Sequence, residues 1–478
     1  MPWCNVAEAQ RVIRVGERHP GGESRLNSAR AFDGTGGTSA AGRGSGTPSA
    51  GISAGSRRLR RGLLAAVIAP VLLLATACGG SSRAATGSSN DAKSGGSSTS
   101  STSSASSAAS ASASASAPSE KTSSAVVSIL PQSGAVNVAT TGALKVTAAS
   151  GRLTAVKVVS ASGTVAAGTV AADGGSWTPT GALRTDSRYA VSATAVDADG
   201  LAVTRTSSFT TMTPSQVNAG VFNVSAGATY GVGMEVSINF NQPVAAADRA
   251  AVQQAITVSS SPSVPVVGHW FGDDRIDYRP QSYWAAGTQV VLHMDPDGVE
   301  TSPGVYDTQY KDVAFSIGRN QVSVANSATH MLTIYRNGVV YRTYPATLGD
   351  PDHATYNGIM VISQKYQGID MNAETVGLGD AYNIPDVPHA MRLTTSGTFI
   401  HGNYWRPLST FGTANTSHGC VGLHDVEGGD DPGTPAGWLY ANSLIGDVVQ
   451  VVDSTSDQVQ PDNGWNGWNM SWADWTSS

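Results

Sequence analysis

From residue 125 onward the chain is built of short runs in which apolar and polar residues alternate. Residues 126–130 (VVSIL) open the series, and 143–147, 155–159 and 189–195 follow, separated by Gly, Asp and Ser clusters. A period of two over four to eight residues predicts a strand with one buried face. Strands at this spacing, joined by turns, predict a β-sandwich. A second set over 214–318 includes 234–240, 288–293 and 313–317, and predicts a second sandwich. A third β-rich region begins near Arg319. There 332–336, the dipeptide Asn337-Gly338 and 339–344 predict a hairpin, because Asn-Gly favours the type I′ turn that matches strand twist. Further strands are expected at 358–363, 390–393, 398–401 and 447–452, with a short helix at 438–442. The predicted fold class is therefore mainly β. The last stretch, 454–478, carries Trp465, Trp468, Trp472 and Trp475. These indoles are expected to fold back as an apolar brace, with sugar stacking as the alternative.

The chain before residue 125 has a different texture. Residues 57–61 read Arg-Arg-Leu-Arg-Arg, and an apolar run, 62–77, follows. A basic segment before a short apolar core is the pattern of a secretory signal. The run is shorter than the about 20 residues a membrane-spanning helix needs. It ends Ala75-Thr76-Ala77-Cys78-Gly79-Gly80, which resembles a bacterial lipoprotein cleavage box, with Ala75 where that box usually has Leu. The resemblance implies lipidation of Cys78 and attachment to the outer face of the cytoplasmic membrane; ordinary secretion with cleavage after Ala77 is the alternative. Residues 1–56 are rich in Gly, Ser and Arg without periodicity, and the expected start lies downstream of Met1. Residues 79–124 contain 20 Ser in 46 residues and offer almost no apolar bulk against chain entropy, so a disordered linker is expected. Its root-mean-square span as a flexible chain is about 35–40 Å.

Composition narrows the function classes. Charged residues make up 13% of the 478, against about 25% in ordinary domains. The net charge of −6 provides no electrostatic footprint for nucleic acid. Removal of residues 1–77 would leave 19 basic and 31 acidic residues, a net −12. Three Cys exclude a disulfide scaffold. Cys4 would be lost with the signal and Cys78 would carry lipid, so Cys420 would be the one free thiol of an exported protein, a feature that marks a reactive group or an intermolecular link. The clusters Asp273-Asp274 with Asp277, and Asp295 with Asp297, read as turn residues ahead of calcium ligands.

Six of the nine His lie after residue 329, and two flank that thiol. One segment reads Phe399-Ile400-His401-Gly402-Asn403-Tyr404-Trp405. After a Gly/Thr/Asn-rich loop comes Thr416-Ser417-His418-Gly419-Cys420-Val421-Gly422-Leu423. A thiol and an imidazole are the minimal nucleophilic pair: the thiolate attacks a carbonyl while the imidazole takes and later returns a proton. The backbone N–H groups of Gly419 and Cys420 are natural oxyanion donors. On the residues alone, a buried Cys packing as a small hydrophobe remains open. So does a metal site from His401, His418 and Cys420, although that spacing fits no common zinc motif.

The pattern of His401, 15 residues, then Ser-His-Gly-Cys resembles the signature of the L,D-transpeptidase catalytic domain. The likeness extends over about 319–453 through the Asn-Gly hairpin, Thr355-x-x-Gly358, Ile369-Asp370-Met371 and Gly446-Asp447-Val448-Val449. The two upstream sandwiches look like bacterial immunoglobulin-like modules, and this domain order is similar to that of actinobacterial lipoprotein members. The resemblance implies 1–78 as extension and signal, 79–124 as linker, 125–213 and 214–318 as immunoglobulin-like domains, 319–453 as a β-rich catalytic domain with a short helix, and 454–478 as a Trp-rich tail. It implies Cys420 as nucleophile, His401 as base and acid oriented by the carbonyl of Gly402, and His418 as a supporting catalytic residue. Ser417, Met371, Tyr382 and Gly422 would bind substrate, Ser417 holding the loop. Gly402 and Gly422 depart from the usual Ser, and from the usual Asn or Arg. Implied partners are peptidoglycan stem peptides, carbapenem-type β-lactams as inhibitors and the membrane, with no metal or organic cofactor. The implied activity is 3→3 cross-linking of tetrapeptide stems through a thioester with release of D-alanine. An L,D-carboxypeptidase and a non-catalytic wall-binding lipoprotein are the alternatives.

Overall fold

The computed structural model describes residues 121–477 apart from Leu378. The signal, Cys78 and nearly all of the Ser/Ala linker lie outside the described residues.

The first sandwich packs two four-stranded sheets. One has the order Val126–Leu130, Lys145–Ala149, Ser176–Pro179, Gly168–Val170; the other Ala135–Val138, Ala202–Thr211, Arg188–Val196, Arg152–Ser160. Alternation drives them together: along Arg188–Val196, Tyr189, Val191, Ala193 and Ala195 are buried while the residues between them are not. Tyr189 stacks on Phe209 at 5.5 Å, and Trp177 and Val146 close the core from the facing sheet. The second sandwich repeats the plan around Met234, Ile238, Ile276, Leu292 and Phe315. The acidic turn residues join the two. Thr185 donates from its N–H and hydroxyl to Asp297 Oδ1 at 3.1 and 2.9 Å, and Arg184 pairs with Asp295 at 3.2 Å. Asp277 is not a turn residue: it is buried in the strand Arg275–Pro280 and paired with Arg275.

The C-terminal domain is one nine-stranded sheet. Its strands are β1 (Gln321–Asn326), β2 (Met331–Arg336), β3 (Val339–Thr347), β4 (Gly358–Val361), β5 (Gln364–Asn372), β6 (Asn383–Arg392), β7 (Phe399–Asn403), β8 (Val421–His424) and β9 (Val448–Val452), in the order β4-β9-β1-β2-β3-β8-β7-β6-β5. The β2–β3 hairpin turns through Asn337 (φ 52°) and Gly338 (φ 77°), and Arg336 pairs with Val339, as a type I′ turn requires. The long β3 pairs first with β2 and then, at Ala346 and Thr347, with β8, which joins the two halves of the sheet. Two pairs are parallel, β1 with β9 and β7 with β8. Helix α1 (Pro435–Ala441) lays Ala436 and Leu439 against the core that contains Ile400, Val421 and Leu423. Pro435 is preset for the first helical turn, and Thr434 caps it by accepting the Gly437 N–H at 3.1 Å.

The Trp-rich tail bridges the second sandwich and the edge strand β4. Asn466 accepts the Val361 N–H at 3.1 Å, and Asn469 exchanges two bonds with the Ile359 backbone at 2.8 and 2.7 Å. Two asparagine side chains thus pair with an edge that would otherwise be open. On the other side, Trp468 and Trp475 donate to the carbonyls of Gly233 and Val267 at 2.8 and 2.9 Å. The buried Arg279 guanidinium sits 4.8 and 4.2 Å from those two rings. Their faces are therefore engaged inside the protein, which leaves the brace and not sugar stacking for these two indoles.

Glu235 lies in the same seam, with no hydrogen-bond partner for either carboxylate oxygen among the described residues. Burial, with the charge of Asp277 adding to it, pushes its carboxyl up to about 8 against the pull of Arg279 and Arg275. The folded protein therefore holds this proton more tightly than the unfolded chain, and stability falls as pH rises from the ordinary carboxylate range through about 8. Glu235→Gln, which copies the protonated form, is expected to flatten that fall. Urea unfolding at several pH values reads it, and equal slopes in the two proteins would remove Glu235 as the cause.

Candidate active site

The parallel pair β7–β8 carries the central residues. Ile400 pairs with Val421, and both are buried in the core. Alternation then turns Phe399 and His401 to the opposite face. Extending the register by one residue sets Cys420 beside Phe399, so the thiol and the His401 imidazole project from the same face of neighbouring strands. Cys420 is a free thiol and partly exposed. His401 is buried, with 4% exposure.

His401 has a defined tautomer. Its Nδ1 lies 2.8 Å from the carbonyl oxygen of Gly402. A carbonyl only accepts, so Nδ1 carries the hydrogen and Nε2 keeps a lone pair for a proton. Trp405 stacks on the ring at 5.7 Å and 12°. Burial lowers the imidazole below its ordinary value, while the Gly402 carbonyl and the charge of Asp425 oppose that. Burial likewise pushes the Cys420 thiol up to about 11, against the Phe399 backbone and the Arg392 guanidinium. Both shifts favour the neutral thiol and neutral imidazole. Sγ donates to the Gly397 carbonyl at 3.7 Å. No hydrogen bond joins Sγ to His401 among the described residues; such contacts often tighten only with substrate bound.

The turn that delivers Cys420 is held by Ser417. Its hydroxyl donates to the Cys420 carbonyl at 2.6 Å and accepts the Gly419 N–H at 3.2 Å. The Ser417 backbone is anchored on both sides, to Leu348 O at 3.0 Å and from Asp350 N at 2.8 Å. Gly419 has φ +106°, a conformation that glycine alone adopts readily. The arrangement answers two expectations differently. Ser417 holds the loop, and its hydroxyl is already engaged as donor and acceptor, so it has no donor free for a substrate. Of the two expected oxyanion donors, Gly419 N–H is taken by Ser417, and Cys420 N–H is the one without such a partner among the described residues.

His418 sits between the rings of His353 and Tyr382, at 4.8 and 5.0 Å. Burial, and then the charge that Cys420 would carry as a thiolate, raise the Tyr382 hydroxyl. Met371 lies in β5 opposite Ile384, on the same hairpin as Tyr382. Gly422 is buried in β8, where a Cβ would lie 2.9 Å from Thr347 Cγ2 and 3.3 Å from Asn403 Nδ2. Glycine at this position thus fits close packing and presents no side chain to a ligand. Among the described residues no group of three or more His, Cys, Asp or Glu side chains is arranged to hold a metal ion.

Two known families match separate regions of the chain. The bacterial Ig domain family matches residues 135–300, and the L,D-transpeptidase catalytic domain family matches 320–451. L,D-transpeptidase 2 of Mycobacterium tuberculosis (strain CDC 1551 / Oshkosh) is 31% identical over 347 residues, covering 72% of this chain and 82% of that protein. This chain belongs to the L,D-transpeptidase family. L,D-transpeptidase 5 of Mycobacterium tuberculosis (strain ATCC 25618 / H37Rv) is 30% identical over 357 residues, covering 73% of this chain and 75% of that protein. A solved L,D-transpeptidase in complex with imipenem is 28% identical with a TM-score of 0.42, covering 50% of this chain and all of that one.

In this L,D-transpeptidase the structure adds residues that sequence reasoning missed. Asp350 holds His353 at 3.0 Å under the His418 ring. Asp425 and His389 form a buried pair at 2.7 Å. Asp350 and His353 are three residues apart, so their spacing was available as a signal; the partners Asp425 and His389 are 36 residues apart and carry none.

Proposed function

We propose that this protein is a peptidoglycan L,D-transpeptidase working through a thioester on Cys420. The observation that carries the reading is the placement of His401 and Cys420 on one face of adjacent strands, with Nδ1–H of His401 held by Gly402 O. That leaves Nε2 to take the thiol proton. Because burial keeps the thiol neutral, proton transfer to Nε2 accompanies attack, instead of a thiolate standing ready. Sulfur bonds to the carbonyl carbon of the third stem residue, a diamino acid. The bond to the terminal D-alanine breaks, and its nitrogen leaves with the proton from Nε2. The side-chain amine of a neighbouring stem then attacks the thioester, yields its proton to Nε2, and the thiol is regenerated with a 3→3 cross-link formed. Cys420 N–H is the oxyanion donor, and His418 with Tyr382 borders the acyl group. Met371 and Gly422 belong to the same pocket, Gly422 through its backbone. A carbapenem would acylate the same sulfur, in keeping with the imipenem complex of the solved relative. The two sandwiches and the Ser/Ala segment carry this site from a lipid anchor at Cys78 into the wall.

The test is to incubate the purified protein with tetrapeptide stems bearing a diamino acid at the third position. The expected product has the mass of two stems less one alanine. Alanine release without that dimer assigns hydrolysis, and neither product removes the proposal.

A further inference from the structure

Behind His401 lies a buried carboxylate–imidazole pair that takes no part in acyl transfer. Asp425 follows β8, and its side chain is fully buried. Its Oδ2 accepts from His389 Nδ1 at 2.7 Å. Its Oδ1 accepts from the Thr434 hydroxyl at 2.8 Å and the Val426 N–H at 2.9 Å. Thr434 is the cap of α1, so the carboxylate is fixed by the helix start as well as by β6. His389 is held in turn. Its Nε2 faces the amide nitrogen of Gln367 at 3.1 Å, which donates, and Tyr440 covers its ring at 5.1 Å. With Nδ1 donating to Oδ2, His389 seats the Asp425 carboxylate and its negative charge at this position.

That charge bears directly on the active site. A Cβ on Gly402 would overlap Asp425 Oδ2 outright. The carboxylate therefore packs against the Cα of the residue whose carbonyl holds His401 Nδ1–H. Glycine after His401 is thus the residue that lets the acid approach. We infer that Asp425, seated by His389, is a positioning residue for His401: it fixes the Gly402 peptide and places a negative charge behind the imidazole. The inference rests on reading His401 as the base. The downward pull of burial on His401 is opposed by the Gly402 carbonyl and then by Asp425, in agreement with this geometry. The titratable and charged groups that face the pair are Tyr440 in α1, over the His389 ring, beyond it the Lys365 ammonium of β5 at 4.3 Å from the Tyr440 ring, and His401 in β7, reached through Gly402.

The experiment follows His401 itself. Histidine-labelled protein is titrated by NMR, with the His401 signal identified by its loss in His401→Gln, and the pH dependence of meropenem acylation is measured by intact mass. In Asp425→Asn the His401 midpoint is expected to fall by about half a pH unit or more, and the acid limb of acylation to move with it. An unmoved midpoint in folded Asp425→Asn overturns the inference. A midpoint that falls while the acylation limb stays in place supports the positioning role and removes His401 as the base instead. Should Asp425→Asn not fold, the pair His389→Asn and His389→Gly decides. Both residues adopt the φ of +53° at this position, but only Asn restores the N–H to Asp425. The Asn variant is expected to keep the wild-type midpoint and the Gly variant to lower it; equal midpoints overturn the inference.

Discussion

Cys420→Ala is expected to reduce turnover of a tetrapeptide stem by at least about 10⁴-fold and to abolish the mass shift caused by a carbapenem. The size follows from the proposed chemistry. Positioning by His418, Tyr382 and the backbone survives the change, but no other thiol lies near the site among the described residues, so the covalent route is lost. The fold is expected to persist, because Cys420 is partly exposed in a turn held by Ser417 and Gly419. Equal circular dichroism and an equal melting temperature would show that the loss is chemical. Turnover within tenfold of wild type, in protein verified by mass, would overturn Cys420 as nucleophile. Because the thiol is pushed up to about 11, the wild-type protein is also expected to react slowly with iodoacetamide at neutral pH, in contrast to its reaction with substrate-like acyl donors.

Trp475→Ala is expected to remove about 3–5 kcal/mol of stability, the cost of emptying a site filled by a fully buried indole. Three losses add at this position. The Val267 carbonyl loses its donor at 2.9 Å, the His269 ring loses its stacking partner at 5.0 Å, and the Arg279 guanidinium loses the nearest of its three indole faces at 4.2 Å. An exposed tail with four Trp would show no such effect. Thermal unfolding should therefore begin in the second sandwich and β4, with the midpoint lowered by roughly 10 °C. Trp475→Phe keeps most of the packing and loses the N–H, so its cost is expected to be about a third as large. A fall under about 1 kcal/mol in Trp475→Ala would show that the tail does not brace the structure.

Much of the architecture was legible because it rests on local rules. Asn337-Gly338 specified a turn that the backbone adopts at both residues, and period-two alternation exposed four strands of the first sandwich and three of the second. The helix was legible from Trp438 and Leu439 but not from its cap, Thr434. The hairpin of β5 and β6 was legible only at its end, where the strand expected at 390–393 overlaps β6. Gln364-Lys365-Tyr366-Gln367-Gly368 shows no alternation, and Pro385 and Pro388 argue against a strand. The structure accommodates them through irregularity: Pro385 and Asp386 fall where the register breaks between Met371–Ile384 and Ile369–Val387, and Asp386 and His389 have positive φ. In the active site the spacing from His401 to Cys420 could be read directly. Gly402 and Gly422 could not, because their meaning lies in Asp425, Thr347 and Asn403, residues brought close only by the fold.

The parallel pairing of β1 with β9 has a consequence for how the domain forms. Val322 meets Val448 and Asn326 meets Val452, so the first strand of the catalytic domain waits for the last before its second edge is closed. Such a pair has high contact order, and loop closure over more than a hundred residues precedes its reward. The domain is therefore expected to condense late and all at once, after β9 has emerged, with β1 the strand most open to mispairing until then.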